Sequence, residues 1–599
     1  GRIDIEIRGS SSQATDKKQY GFTTRMADNV TNNNVSLLGM PEENDWILNG
    51  MVWDPGLIRD YLSYNLSRQI GEYATRTAYC EVVINGSYKG LYVLQEKIKS
   101  DDNRVDIIKI GINDNSSPKV TGGYITKADK TTGGDPVAWT MRSWFDTPVD
   151  YIHELPKPED VTSQQNDYIR SQFFLLESTA LGNNSSPADG FPSVIDIPSF
   201  IDFIIINELS SNADAYQFST FFHKDRNGKL RAGPIWDLDL TYGNDLFIWG
   251  LDRSKTNIWQ LSNHENDGSR FWRDLFNNTV FKCYLSKRWN ELIKPGQPLN
   301  PSNITAFIDQ TVTEISEAAA RDYTLWGIAG SFQQNISAMK TFINTRINWM
   351  TANLGSYSAC ENVPVPPLII TKIMYHPPDQ SVTWENDAFE FIEITNNSDQ
   401  TVDLTGIYFS GTGFVFRFPP NTSLGPRSSV YIAGNAQAFN EKYGFMPFAQ
   451  FTRNLSDKGE KLTMVDAYGN IIDIVEYSDS YPWPDADGNG KYLLLTDFYS
   501  DNNDPSNWIA SDEIITSDPG LNDTLKPVIF PNPVRDILRI QSGYEMQNVI
   551  IYDMSGRILS SENVNSTDHY IDVRNLSPGL YIIGITTYNK IWLSKFIRY

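Results

Sequence analysis

The stretch that decides the reading of this chain runs from Asn207 to Asn244, NELSSNADAYQFSTFFHKDRNGKLRAGPIWDLDLTYGN. It carries Asn212-x-Asp214 and then Trp236-Asp237-x-Asp239, three carboxylates and an amide set among apolar runs of strand type. A hard cation such as Mg²⁺ takes one or two carboxylates together with phosphate oxygens, so this set suits a cation with a bound phosphate. The set also offers an acceptor to which a substrate hydroxyl could lose its proton. If PIWDLDL is a strand, its period of two puts Asp237 and Asp239 on one face. The same residue types also build turns, and Asn212-x-Asp214 fits a helix C-cap or an Asx-turn equally well.

Outward from this stretch, residues 1 to about 360 mix strands and helices. IDIEIRG and CEVVINGSYKGLYVLQEKI have strand character, with Asn85-Gly86 as a hairpin turn. Helical spacing starts at Asp54-Pro55-Gly56-Leu57-Ile58-Arg59, returns over about 198–209, and dominates from Phe271 to Leu354. Glu361 to Pro367 is a Pro-rich linker that favours an extended spacer. Residues 368–521 read as all-β, short strands separated by turn residues, which suggests a sandwich. Residues 525–599 form a small β-sandwich unit with VIIYDMSGRIL as a hairpin turning at Ser555-Gly556.

Composition narrows the function classes. A chain of 599 residues predicts several domains. Its net charge of −23 repels phosphate backbones, so no nucleic-acid partner is expected. Cys80, Cys283 and Cys360 show no metal-ligand spacing, and an odd count points to buried free thiols. No run reaches the ~18 apolar residues of a transmembrane segment. The chain opens at GRIDIEIRG inside a strand, which reads as a truncated or processed N-terminus. No Walker A sequence and no G-x-G-x-x-G before a helix is present, so standard nucleotide folds are not indicated.

Several motifs occur in a recognisable order: Arg8-Gly9-Ser10-Ser11, Lys17-Lys18-x-Tyr20, Ile84-Asn85-Gly86-x-Tyr88-x-Gly90-Leu91-Tyr92, Glu96-Lys97, Gly122-Gly123-Tyr124-Ile125, and LPKPEDVTSQQNDYI from Leu155. With the opening stretch they resemble the CotH kinase family of atypical protein kinases over roughly the first 350 residues. That resemblance implies an α+β kinase-like domain over 1–360, with Asp214 as base and Asp237, Asp239 and Asn212 as candidate metal ligands. Arg8, Lys18 and Lys127 become candidate phosphate contacts, with Glu96 as a partner for one of the lysines. ATP is then the donor and Mg²⁺ or Mn²⁺ the cation. Ordinary protein kinases carry a metal-binding Asn five residues after the base, where this chain departs with Ser219.

The motifs Ile373-Met374-Tyr375, Glu390-Phe391-Ile392-Glu393-Ile394-x-Asn396, Leu404-x-Gly406 and Trp483-Pro484 resemble the lamin tail domain, with an immunoglobulin-like β-sandwich over 368–521. Asp485-x-Asp487-x-Asn489-Gly490 matches the first half of a calcium loop, so Ca²⁺ is a further candidate cofactor. Thr496 stands where that loop needs its acidic twelfth residue, and the stretch also fits the lamin tail turn. Pro531-Asn532-Pro533, the 575–581 stretch NLSPGLY and the terminal KFIRY resemble the C-terminal sorting domain of type IX secretion substrates. This resemblance implies outer-membrane export of Bacteroidota type, with the secretion machinery and its outer-membrane shuttle proteins as partners.

The functional expectation is therefore an exported protein kinase acting on Ser or Thr of another exported protein. The alternative is a catalytically weak surface adhesion or matrix protein that binds glycans or proteins. A glycoside hydrolase using paired carboxylates fits the residue types, but the motif order argues against it.

Overall fold

In the computed structural model the described residues are 1–131, 134–244, 255–263, 267–328, 330–378, 383–411, 413–513, 515, 527–554, 557–587 and 590–599. The first module begins with β1 (Arg2–Arg8), β2 (Gln19–Arg25), β3 (Asp45–Asn49), helix α1 (Arg59–Gln69), β4 (Thr77–Ile84) and β5 (Ser87–Glu96). These strands form one antiparallel sheet, in the order β1-β2-β3-β5-β4. The predicted Asn85-Gly86 turn joins β4 to β5 with both residues at positive φ, 51° and 78°, as a type I′ hairpin requires.

A second sheet follows from β6 (Tyr124–Ala128), β7 (Trp139–Arg142) and β8 (Pro148–Leu155), helices α2 (Ser163–Leu181) and α3 (Ile197–Ser210), then β9 (Thr220–Lys224) and β10 (Arg231–Ala232). Its order is β10-β9-β6-β8-β7, again antiparallel. Helices α4 (Arg270–Asn277), α5 (Thr279–Leu292), α6 (Pro301–Trp326) and α7 (Phe332–Asn353) complete the module. Its core is rich in aromatics, with Phe200, Phe203, Phe222 and Trp272 packed ring against ring and buried. Gly122, just before β6, lies against the backbone of Asp225, where a Cβ would come within 1.9 Å of a carbonyl carbon. The Gly122-Gly123 pair thus serves close backbone packing.

The second module holds β11 (Leu368–Met374), β12 (Phe391–Asn396), β13 (Val402–Asp403), β14 (Tyr408–Ser410), β15 (Ser423–Leu424), β16 (Ser429–Ala433), helix α8 (Ala436–Tyr443), β17 (Ala449–Gln450), β18 (Gly459–Val465), β19 (Ile471–Ser478), β20 (Tyr492–Leu495) and β21 (Trp508–Ser511). A six-stranded sheet, β17-β16-β12-β11-β20-β21, faces the three-stranded β14-β18-β19. Ile392 and Ile394 from one sheet meet Phe409, Leu462 and Val475 from the other in a shared core. This is the expected sandwich. The all-β expectation is corrected by α8, which Asn435 starts by accepting from Gln437 N and Ala438 N and which ends at Gly444, φ 81°.

The third module is a near-barrel of β22 (Val528–Phe530), β23 (Ile537–Tyr552), β24 (Ile558–Asp572), β25 (Gly579–Thr587) and β26 (Lys590–Arg598). The long β23 pairs with β22, β24 and β25. The Ser555-Gly556 turn lies outside the described residues.

Two further expectations are corrected. Cys283 in α5 and Cys360 after α7 form a disulfide, with Cα atoms 6.1 Å apart, and Cys80 is the free thiol. Their separation of 77 residues hid the pairing, because only the packing of the helices brings them together. PIWDLDL is not a strand. Its ladder stops at Ala232, and Asp237 takes a left-handed conformation at φ 61°.

Candidate active site

Strand order places the site. In the antiparallel run β10-β9-β6, the end of β10, the start of β9 and the end of β6 fall at one end of the sheet. Asp129, the segment 211–219 and the segment 233–239 therefore gather there. Ala128 pairs with Thr220, and the Ser219 N–H donates to Asp129 Oδ1 at 3.4 Å.

The segment carrying Asp214 is held from behind. α3 ends at Ser211, left-handed at φ 55°. Asn212 Oδ1 accepts from the Asp214 N–H at 3.1 Å, the Asx-turn geometry, and its Nδ2 donates to Asn207 Oδ1 at 2.9 Å. Behind them Glu208 and Arg346, both buried, form an ion pair at 2.9 Å, and the Tyr216 hydroxyl donates to Glu208 at 3.1 Å. Asn212 thus spends its amide on shaping the turn.

The segment carrying Asp237 and Asp239 is pinned by α1. Asp60 and Tyr64, one helical turn apart, accept from Leu238 N at 2.7 Å and from Asp237 N at 3.2 Å. Asn49 donates to the other oxygen of Asp60 at 2.9 Å. Trp236 packs against Tyr64 and Phe221, and the guanidinium of Arg8, at the end of β1, lies over its ring at 5.8 Å. Ser211, Tyr216, Ser219, Asp237 and Tyr242 all adopt positive φ without being glycine. Such strain persists only where the surroundings impose it.

The electrostatics are those of crowded negative charge. Asp237 reaches solvent, yet the protein packed around it raises its pKa, and Asp214 and Asp129 raise it further against the pull of Lys130 and Arg8. Burial raises Asp239 well above the usual carboxylate range, followed by the charges of Asp237, Asp60, Asp54 and Asp214. Asp60 is raised by burial and then by Asp237. Burial lowers the Arg8 pKa, and Asp237 is the charge that most opposes this.

Of the residues singled out in the sequence, Asp237 thus feels both Asp214 and Arg8, and Asp239 feels Asp237 and Asp214. Lys127 lies nearby, 3.8 Å from Asp129 and 3.4 Å from Glu154. Lys18 donates to Gln13 O at 2.8 Å, in the turn that follows Arg8. Glu96 does not pair with a lysine. It is buried against Arg76 at 3.1 Å and Arg104 at 3.7 Å and accepts from Tyr73, because the end of β5 faces those arginines. Sequence reasoning missed Asp60, Tyr64, Asp129 and Lys130. Only the Asp60/Tyr64 spacing on α1 was a readable signal.

In the lamin-type module, Asn489 Nδ2 donates to Asp485 O and Oδ1 at 3.0 and 3.2 Å, while Asp487 pairs with His376. Among the described residues no three His, Cys, Asp or Glu side chains are grouped to hold a metal ion as they stand.

Fold and site together define an acid-lined, kinase-like α+β module carried with two β modules. The family model described as CotH kinase protein matches residues 5–350, more than half of the chain, and the chain belongs to that family. The lamin tail domain model matches residues 363–479, and the secretion system C-terminal sorting domain model matches 528–598. The sorting domain marks the protein for secretion or cell-surface export. No helix among the described residues is long and apolar enough to cross a membrane. A search of curated proteins returns no match. Among solved structures, PorZ of Porphyromonas gingivalis, described as an essential bacterial surface component of the type-IX secretion system, is similar at 12% identity, over 36% of each chain, with a TM-score of 0.13. A biofilm associated protein, BSP domain, is similar at 13% identity, over 39% of this chain and 51% of that one, with a TM-score of 0.12. The chain thus spans about a third and a half of these two, and at such scores neither bears on the fold.

Proposed function

We propose that the protein transfers the γ-phosphoryl group of ATP to a Ser or Thr hydroxyl of another exported protein. The observation that carries this reading is the meeting of Asp214, Asp237, Asp239 and Arg8, drawn from three separate parts of the first module. Asp237 and Asp239, which repel each other and have raised pKa, suit a divalent cation. Mg²⁺ or Mn²⁺ held by Asp237 and Asp239 would supply charge neutralisation for the polyphosphate. Two carboxylates suffice for such an ion when phosphates complete its shell. Arg8, with Lys127 at Asp129, supplies fixed positive charge for phosphate oxygens. Asp214, half-buried, accepts the proton of the acceptor hydroxyl.

The test is thermal unfolding with ATP and Mg²⁺ or Mn²⁺. A ligand that binds the native state raises the melting temperature. A metal-dependent rise is expected, lost in Asp237→Ala. Asp214→Asn should keep the rise while lowering phosphoryl transfer by roughly 10²–10⁴-fold. The absence of any shift across nucleotides and cations overturns the proposal.

A second reading, a surface protein that binds glycans or other proteins, is favoured by two observations. Ser219 offers no amide side chain, and the second module exposes Tyr481 (95%) and Tyr499 (77%) beside Phe498. Such rings stack on sugar faces and partner side chains.

A further inference from the structure

The sorting module is seated on both other modules through a buried charge set. Asp568 in β24 accepts from Arg539 Nε at 2.8 Å and from Arg539 Nη2 at 2.7 Å. Its Oδ2 also lies 3.4 Å from Arg417 Nη2 of the lamin tail module. Lys224 of the first module adds to the positive charge that holds the Asp568 carboxyl below its ordinary range against the burial that would raise it. Asp568 and Lys224 are buried, and Arg417 is largely so. Lys224 Nζ donates to Thr121 O at 2.6 Å and lies over the ring of Tyr168, which meets Tyr570 of the sorting module edge-on at 6.3 Å. Nearby, the Ser117 and Ser566 hydroxyls are 2.7 Å apart, and Ser117 donates to Asp568 O at 2.8 Å. A cavity of about 30 Å³ at this junction is lined from all three modules, by Asn227, Gln450 and Gln541 among others.

We propose that this face is a specific docking surface for the sorting module, assembled only when the first two modules are folded against each other, and that Asp568 is its key. Neither neighbour alone supplies the whole cation set, since Lys224 comes from one and Arg417 from the other. The occupant fits by charge: Asp568, already held by Arg539 of its own module, also meets Arg417 and the buried Lys224 of the face. Removing that carboxylate leaves the cations buried without a counter-charge, and this dominates the energetics of such sites. A seated sorting module thus reports that its cargo has reached its native packing.

The experiment uses the full chain with a protease site placed within residues 516–526. After cleavage, the fragments of the unsubstituted protein are expected to co-elute in size exclusion at micromolar concentration. Asp568→Asn should weaken their association about 100-fold or more. Arg417→Ala, which leaves the sorting module unaltered, should also release it, which separates loss of docking from misfolding of that module. Separation of the unsubstituted fragments at micromolar concentration overturns the proposal. So does equal retention by both variants.

Discussion

At the scale of single residues, the site trades stability for charge placement. Asp239 has a folded pKa raised above its unfolded value, by burial and then by Asp237. The native state therefore holds a proton that the unfolded state has already released. Stability falls as pH rises from the usual carboxylate range toward the raised folded value. Asp239→Asn removes this penalty. Without divalent cations it is expected to raise the melting temperature near pH 7.5 by about 2–4 °C, a gain of roughly 1 kcal/mol. The gain should shrink toward pH 4, and a scan of melting temperature against pH in chelator checks it. Saturating Mg²⁺ with ATP should reverse the ranking of the two proteins. The residues of this centre were legible in part. Asp214, Asp237 and Arg8 sit in motifs whose order survives as a string, whereas Asp129 and Lys130 join them only through the pairing of Ala128 with Thr220. A register between strands some 90 residues apart leaves no mark on local periodicity.

At the scale of elements, local chemistry was the better guide where an element caps itself, and weaker where another element holds it. The Asn85-Gly86 hairpin follows from turn residues alone. Helix α2 starts on the local pair Thr162 and Gln165, which form a capping box. PIWDLDL reads as a strand by alternation but loses its ladder, because α1 offers Asp60 and Tyr64 as acceptors for the backbone N–H groups that a neighbouring strand would take. The disulfide between α5 and the end of α7 is a contact of this same non-local kind. Closing a loop of 77 residues removes unfolded-state entropy worth about 4 kcal/mol in the chain-entropy model. The Cys283→Ala/Cys360→Ala double variant is therefore expected to lose about 2–4 kcal/mol in denaturant unfolding. Cys80→Ala should lose much less, since Cys80 is half-buried and unbridged.

At the scale of the whole molecule, the modules are joined by buried polar groups as well as apolar ones. Asp196 of α3's N-cap accepts from the Tyr408 and Ser410 hydroxyls of the lamin tail module, each at 3.1 Å. Arg453 reaches back to Asp225 at 3.1 Å and to Asp106. Lys229 is buried at this seam with its Nζ 3.4 Å from the centre of the Tyr408 ring, and burial lowers its pKa to about 7. A lowered lysine binds fewer protons folded than unfolded, so stability rises with pH from about 7 toward its ordinary value. Lys229→Met should stabilise the protein at pH 7 by about 1 kcal/mol or more, with the gain fading near pH 10, as calorimetry across that range would record. None of these seams was legible in the sequence, because each joins residues hundreds of positions apart.

The disulfide also sets how the chain answers to pulling. Cys360 stands directly before the Pro-rich stretch that leads to the lamin tail module. Tension entering from that side meets a covalent stop at Cys360 and crosses to Cys283. The chain between them, 77 residue steps long with most of α5 and all of α6 and α7, is bypassed. Stretched in a single-molecule experiment, the oxidised chain should come out shorter than the reduced one by about 250–280 Å of contour. On a cell surface under flow, those helices would keep their shape while the load runs past them.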